Sequence, residues 1–202
     1  MARSFISVGG YLLLAAVALK PGESLAQEYH VDRSRDNRVV FISHAPFDDF
    51  EGVTDLIDGY VYWEGDGLTE GSDYSNSELY FEVELDDLDT GLRLRNRQMR
   101  NNYLETDEYP YATYSAVIQR VERTGDAEYT VHASGSFGIH GVERPVELSC
   151  IVNPDRDGYR VRCGFEVILS DYNIERPSLM FLKLSETIRL ELDYYVIRVE
   201  SE

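Results

Sequence analysis

Three chemically versatile side chains, His140, Glu143 and Arg144, lie at the tip of a predicted hairpin whose arms, within residues 137–148, are apolar. A histidine in this position could act as a general base or as a metal ligand. General-base catalysis requires a partner that positions the imidazole, and the sequence identifies none. We therefore interpret His140 as a turn residue that is hydrogen-bonded to its neighbours.

The remaining histidines do not show the spacing of a metal site. His30 lies near the start of the predicted mature chain, His44 ends a strand and His132 alternates onto an outer strand face. A thiolate zinc site would consume both cysteines, and the common nucleotide-binding and nucleophile motifs are missing. Among 37 acidic residues some carboxylate pairs arise by chance, so a solvated acidic face is a better interpretation than a catalytic dyad. The pattern favours neither an enzyme nor a metalloprotein.

A group of arginines forms the one basic patch in this acidic chain, and its members are Arg93, Arg97 and Arg100. Guanidinium groups match the geometry of phosphate and carboxylate groups, so the patch could guard a pocket mouth and contact an anionic head group. Ion pairing with nearby acids explains the patch more simply, because surface ion pairs are common. The acids concerned are Asp86, Asp87 and Asp89.

Residues 92–103 have helical spacing, since Leu92, Asn96, Met99 and Tyr103 share one face while the arginines share another. The pair Asp89-Thr90 precedes this segment, and we predict that it caps the helix. Pro110 excludes helix soon afterwards.

The rest of the predicted mature chain alternates apolar and polar residues with period two, which is typical of half-buried strands. About eight strand regions follow one another at short spacing. This pattern predicts an all-β fold, either an antiparallel barrel or a sandwich. No repeat or linker divides it, so we predict one domain.

The inward strand faces are apolar and carry no charge. A barrel of eight strands is either filled by its own side chains or wide enough to hold one ligand. If a cavity exists, its ligand is long and apolar, and its candidate contacts are Phe81, Val83, Leu85, Tyr114, Ile118, Phe137, Ile139, Phe165, Val167 and Leu190.

The two cysteines flank a turn-rich segment, residues 153–158. A hairpin that pairs Asp155 with Gly158 brings Cys150 opposite Cys163, both on the apolar face. Directly opposed strand residues have Cβ atoms close enough for a disulfide, and the alternative is two free cysteines in the core. We predict the disulfide, because an exported protein meets an oxidising compartment.

Residues 1–26 have the layout of a secretory signal peptide: a basic start, an apolar centre and small residues at Ser24-Leu25-Ala26. We therefore expect an exported mature domain, 27–202, that is not an integral membrane protein. The formal net charge of the whole chain is −18. Such a charge repels nucleic acid and anionic membrane surfaces at long range, and we exclude nucleic-acid binding.

Several motifs, taken in order, resemble those of the YceI-like family. They are the opening Tyr29-His30-Val31-Asp32, the block Leu88-Asp89-Thr90-Gly91, residues 95–100, Tyr109-Pro110-Tyr111-Ala112-Thr113-Tyr114-Ser115 and the hairpin of residues 137–146. The chain differs from the family at Asn96 and Gln98, where an acid and a histidine are common, and at Leu169, where an arginine often precedes Ser170-Asp171.

The resemblance implies an extended lipocalin-like antiparallel barrel with one helix near its mouth and export to the periplasm. It also implies that the barrel binds a long isoprenoid chain such as a quinone or polyprenol. We expect no cofactor beyond that lipid. Two alternatives stay open: a filled barrel that acts as a structural or interaction module, and, less favoured, an enzyme that uses His140 or His44. The sequence leaves the oligomeric state open, a dimer included.

Overall fold

The structure, a computed structural model, describes residues 26–44, 49–65, 67–179, 182–183 and 185–199. Apart from Ala26, the predicted signal peptide lies outside the described residues. These residues form twelve β-strands: β1 (Ala26–Val31), β2 (Arg38–Ser43), β3 (Phe50–Thr54), β4 (Ile57–Glu64), β5 (Glu78–Glu84), β6 (Tyr111–Gly125), β7 (Glu128–Ile139), β8 (Val142–Asp155), β9 (Gly158–Ile168), β10 (Ser178–Leu179), β11 (Leu182–Lys183) and β12 (Thr187–Arg198).

Most of these strands close into one antiparallel barrel. The order around it is β1-β4-β5-β6-β7-β8-β9-β12, and β12 pairs back with β1. The short strands β2 and β3 pair with each other and continue the barrel along β12, so the barrel has eight strand positions. This confirms the prediction of an all-β, lipocalin-like antiparallel barrel of about eight strands.

Two short strands, β1 and β3, were not predicted from the sequence. Both belong to barrel positions that are broken in two. The strands β1 and β2 pair with successive parts of β12 and so share one position. The strands β3 and β4 share the next position, because β3 pairs with β2 and β4 pairs with β1. Polar side chains stabilise the break between β1 and β2: Asn37 donates to the Asp32 carbonyl and accepts from the Tyr195 amide. The inward positions of β1 and β3 include Gln27, Gly52 and Thr54, so the sequence shows no clear alternation of apolar and polar side chains there.

A helical segment covers one end of the barrel, as the sequence predicts. It consists of α1 (Arg93–Gln98) and a π-helical continuation, Met99–Leu104. The predicted cap is wrong: the N-cap is Leu92, and no side chain caps the helix. Thr90 and the Asp89 carboxylate instead bind the Asn96 side chain, because Asn96 lies close enough to compete for them.

The cysteine hairpin has the predicted register. Asp155 pairs with Gly158 and Val152 with Val161, and a disulfide joins Cys150 to Cys163 with their Cα atoms 4.5 Å apart. This distance is typical of a pair that does not exchange backbone hydrogen bonds. The β8–β9 ladder ends at the neighbouring pair, Ile151 and Arg162. The disulfide therefore lies where the two strands stop pairing.

The end of the barrel opposite α1 is closed by a loop that lies between β4 and β5. The Tyr74 hydroxyl fixes this loop by accepting from the Thr69 amide and donating to the Thr69 carbonyl. Ser77 is buried, and its hydroxyl accepts a hydrogen bond from the Ile118 amide at 2.7 Å. The pairing of β6 with β7 is irregular just beyond Ile118, between Ile118 and Arg120.

Candidate binding cavity

The barrel encloses an apolar cavity of about 790 Å³. This volume is in the upper part of the roughly 300–1,000 Å³ range of pockets that hold small ligands. All ten residues proposed from the sequence as cavity candidates line it, namely Phe81, Val83, Leu85, Tyr114, Ile118, Phe137, Ile139, Phe165, Val167 and Leu190. Their contact with a ligand stays a prediction.

The cavity is elongated. On β12 alone it is lined by every second residue from Ile188 to Val196, which corresponds to roughly 25 Å of strand. Its lining extends from α1 at one end to Trp63 and Tyr159 at the other. This shape matches an extended chain better than a compact polycyclic ligand.

Charge is confined to one end of the cavity. Among the described residues, the lining contains no aspartate, glutamate or histidine, and its charged members are Arg93 and Arg95 of α1. The period of two explains this separation, since it directs the many carboxylates of the strands outwards. The cavity is thus apolar along its length and basic at its mouth.

Tyrosine hydroxyl groups supply most of the polarity inside. Burial raises the pKa of Tyr114 and of Tyr159 to about 12, and it raises the pKa of the fully buried Tyr194 as well. The Tyr114 hydroxyl donates to the Val146 carbonyl of β8 at 3.2 Å. These phenols are therefore neutral at every physiological pH, and the cavity wall gains no charge from them.

Aromatic rings fill the closed end of the barrel. Tyr29 stacks on Trp63 with ring centroids 4.9 Å apart, and Tyr159 packs against both. The Trp63 side chain is almost completely buried, and its indole N–H has no hydrogen-bond partner among the described residues. Trp63 and Tyr159 were not predicted as site residues from the sequence. Alternation with Val61 could have identified Trp63.

At the open end, α1 and the β2–β3 hairpin form the rim. Phe41 and Phe50 meet edge to face, and the Arg95 guanidinium lies 4.2 Å from the centre of the Phe50 ring. Gln98, one of the positions that differ from the family pattern, lines the cavity here. Asn96, a second such position, binds the loop before the helix through its side chain.

The structure separates the three head-group candidates. Arg93 lines the cavity, whereas Arg100 does not. The Arg100 guanidinium donates to the Leu88 carbonyl, and its Nε lies 3.6 Å from the Asp86 carboxylate. Arg97 makes no hydrogen bond or ion pair with any described residue, and the same holds for Arg93. The simpler interpretation, ion pairing with nearby acids, is thus right for Arg100 alone.

Asp87 and Asp89, the other two acids proposed as partners, have different roles. Asp87 accepts from the Thr54 hydroxyl at 2.8 Å. Asp89 accepts from the Asn96 amide and from the Gly91 backbone, and these bonds lower the pKa of its carboxyl group. Neither of them neutralises an arginine of α1.

The hairpin tip between β7 and β8 connects two segments at the barrel mouth, the π-helical segment and a short 3-10 helix. His140 and Gly141 both have positive φ, 54° and 71°, as a tight two-residue turn requires. The His140 Nε2 lies 2.8 Å from the Glu105 carboxylate at the end of the π-helical segment. Its Nδ1 lies 3.2 Å from the carbonyl of Tyr172, which ends a 3-10 helix, Leu169–Tyr172.

The partners of this tip are therefore remote in sequence, not the neighbours that we expected. Both partners of His140 are acceptors, so the ring donates to both only when both nitrogens carry protons. Arg144 strengthens the connection by donating from Nε to the Asp171 carbonyl at 3.0 Å. The His140 side chain is only 12% exposed. Its contacts with Glu105 and Tyr172 hold the π-helical segment and the 3-10 helix together at the barrel mouth, and we call this pair of contacts the clamp.

We predict that His140→Asn will destabilise the protein by about 2 kcal/mol, since it removes hydrogen bonds to a charged partner. Asparagine tolerates positive φ, so the turn itself is preserved. Urea unfolding measures the effect. The matched control is Arg156→Asn, which changes an exposed residue of positive φ in the β8–β9 turn. Equal unfolding midpoints for the two variants would contradict the clamp.

The other histidines lie outside the cavity. His30 contacts Glu28, His44 contacts Asp49, and His132 contacts Ser149 on an outer strand face. Within the described ranges, no group of three or more histidine, cysteine or acidic side chains could hold a metal ion. No helix in the same ranges has the length and apolar character needed to span a bilayer.

Comparison with known protein families decides the classification. The family model described as the YceI-like domain matches residues 29–196, which is nearly the whole barrel. The chain belongs to the YceI-like family. A search of curated proteins finds no match to this YceI-like sequence.

Solved structures share the fold of this YceI-like chain at low sequence identity. Burkholderia cenocepacia BcnA is 15% identical with a TM-score of 0.64, over 82% of this chain and 98% of BcnA. A polyisoprenoid binding domain from Saccharophagus degradans is 16% identical with a TM-score of 0.63, over 88% and 100%. The YCEI protein of Campylobacter jejuni is 12% identical with a TM-score of 0.54, over 78% and 90%. At these identities the likeness establishes the fold.

Proposed function

We propose that this protein binds a long apolar lipid of the isoprenoid type inside its barrel, as a carrier, scavenger or store, without catalysis. One observation carries the proposal: the barrel encloses an elongated cavity whose described lining has no carboxylate and whose charges are two arginines at the mouth. A lipid with a long tail and a polar head fits this division.

The tail supplies the affinity in this arrangement. Each buried methylene contributes roughly 0.8 kcal/mol, so about ten of them contribute roughly 8 kcal/mol, enough to offset much of the cost of association. The few polar groups at the mouth then orient the head group. Membership of the YceI-like family and the printed description of the Saccharophagus degradans neighbour as polyisoprenoid-binding support the isoprenoid class.

The two alternatives fit the structure less well. A filled barrel requires a solid core, whereas the interior here is hollow. An enzyme that uses His140 or His44 requires a polar pocket around the histidine, but neither residue lines the cavity. We further propose that residues 1–26 direct export to the periplasm. The disulfide is consistent with an oxidising compartment.

Mass spectrometry of organic extracts tests the proposal. We expect the purified native protein to carry a stoichiometric isoprenoid lipid that is missing from a sample denatured and washed before extraction. Protein stripped of lipid should rebind a quinone or polyprenol in preference to a straight-chain fatty acid of similar length. Failure to carry or rebind any of these lipids would overturn the proposal in favour of an interaction module.

A further inference from the structure

We propose that the mouth of the barrel docks on an anionic phospholipid bilayer through a patch formed by Leu92, Arg93, Leu94 and Arg97, here called the mouth patch. The inference deepens the proposed function, because it names the surface from which a lipid would enter the cavity. Docking itself is a separate property that does not require a bound lipid.

The two leucines of the mouth patch are highly exposed. Leu94 is 70% exposed and Leu92 54%, higher than the other exposed large hydrophobic residues of the described chain. Single exposed leucines are ordinary on protein surfaces. These two, however, also line the cavity. Apolar surface is therefore continuous from the outside of α1 into the barrel.

The two arginines of the mouth patch have no partner among the described residues. Arg93 and Arg97 are both exposed and make no hydrogen bond or ion pair with any described residue. Two other exposed arginines are paired instead, Arg33 with Asp58 and Arg38 with Glu51. The first turn of α1 has no acidic residue. The mouth patch thus has positive charge available for an external anion.

The acidic remainder of the protein orients the encounter. With a net charge of −18, most of the surface is repelled by an anionic bilayer. This repulsion favours the approach in which the mouth patch faces the membrane. At physiological ionic strength the Debye length is about 8 Å, so the carboxylates on the distant barrel wall are screened once the patch is in contact.

The size of the patch favours a bilayer over a protein partner. A stable protein interface buries roughly 800 Å² on each side, whereas α1 has only six residues and the leucines are its apolar surface. A bilayer needs a shallow apolar insertion combined with basic side chains at the head-group level, which is the chemistry of interfacial helices. Phosphate oxygens of the lipid would pair with the arginines.

Co-sedimentation with vesicles tests the inference on the full-length mature protein freed of lipid. We expect association with vesicles of phosphatidylglycerol and phosphatidylcholine, much weaker association with vesicles of phosphatidylcholine alone, and a decrease with added salt. Removing both charges by Arg93→Gln and Arg97→Gln should weaken the association about thirtyfold, since each basic residue near an anionic surface accounts for about fivefold.

A matched control changes the same charge at the opposite end of the barrel, through Arg123→Gln and Arg156→Gln. This control should associate as well as the wild type does. If it loses as much as the mouth variant, or if the wild type binds neither vesicle, the inference is wrong. A third pair, Leu92→Ser with Leu94→Ser, should reduce association without changing the charge, and an unchanged affinity would exclude insertion.

The failure of docking and the failure of lipid binding are distinguishable. Uptake of a quinone by the wild type in solution, without vesicles, reports on the proposed function alone. Co-sedimentation of lipid-free protein reports on the mouth patch alone. Uptake without vesicle association would leave a lipid-binding protein that collects its ligand by another route.

Discussion

Replacing Val83 by tryptophan should abolish or strongly weaken lipid binding while the barrel stays folded. Val83 lies on β5 between Ile57 of β4 and Ala112 of β6, and its side chain lines the cavity. An indole at this position adds bulk on the cavity side of β5, so it narrows the cavity. We expect affinity for a quinone or polyprenol to fall about tenfold or more, which corresponds to at least ~1.4 kcal/mol of binding free energy.

The measurement is a binding titration with the lipid-free protein, accompanied by thermal unfolding to confirm the fold. The matched control is Val117→Trp, a residue of β6 whose side chain is 36% exposed and does not line the cavity. The control should bind lipid as the wild type does. Undiminished affinity in a folded Val83→Trp protein would show that the ligand does not occupy the barrel.

Removing the disulfide by Cys150→Ala with Cys163→Ala should lower the free energy of unfolding by about 3 kcal/mol, the value that chain entropy gives for a loop of roughly this length. The bond joins residues 13 apart in sequence. Its position adds a local consequence, because the β8–β9 ladder ends beside it. Residues 142–150 then pair with β7 alone, and residues 163–168 with β12 alone.

Urea unfolding in the presence and absence of a reductant checks this prediction. The reductant should shift the midpoint of the wild type to that of the double variant and leave the double variant unchanged. Hydrogen exchange should show the largest loss of protection in residues 142–150. Identical midpoints for oxidised wild type and double variant would mean that the barrel holds β8 and β9 together without the bond.

Local patterns decided much of this fold. The alternation along β5, β7 and β12 identified which side chains point inwards, since a strand of regular pleat sends successive residues to opposite faces. The register of the cysteine hairpin followed from its two-residue turn, which leaves one way to pair the arms. The helix at residues 92–103 was visible from spacing alone, within one residue of the observed segment.

The sequence patterns were harder to interpret at the broken barrel positions and at the start of the helix. The strands β1 and β3 place Gln27, Gly52 and Thr54 at inward positions, so their sequences lack the apolar alternation that marks the longer strands. The N-terminus of α1 was misassigned because Asp89 and Thr90 are good capping residues that bind the Asn96 side chain instead. Capping propensity depends on residue type alone, so it does not reveal that the Asn96 side chain competes for Asp89 and Thr90.

The sequence by itself determined which residues face inwards, where the helix lies, how the cysteines pair and that the carboxylates remain outside. Only the tertiary structure decided that the interior is hollow, that His140 clamps Glu105 to Tyr172 and that Arg93 and Arg97 have no ion-pair partner among the described residues. The physical reason is one of range. Strand direction and turn geometry act over a few residues, whereas the distance between opposite barrel walls and the partners of a hairpin tip depend on how eight strand positions close around one another.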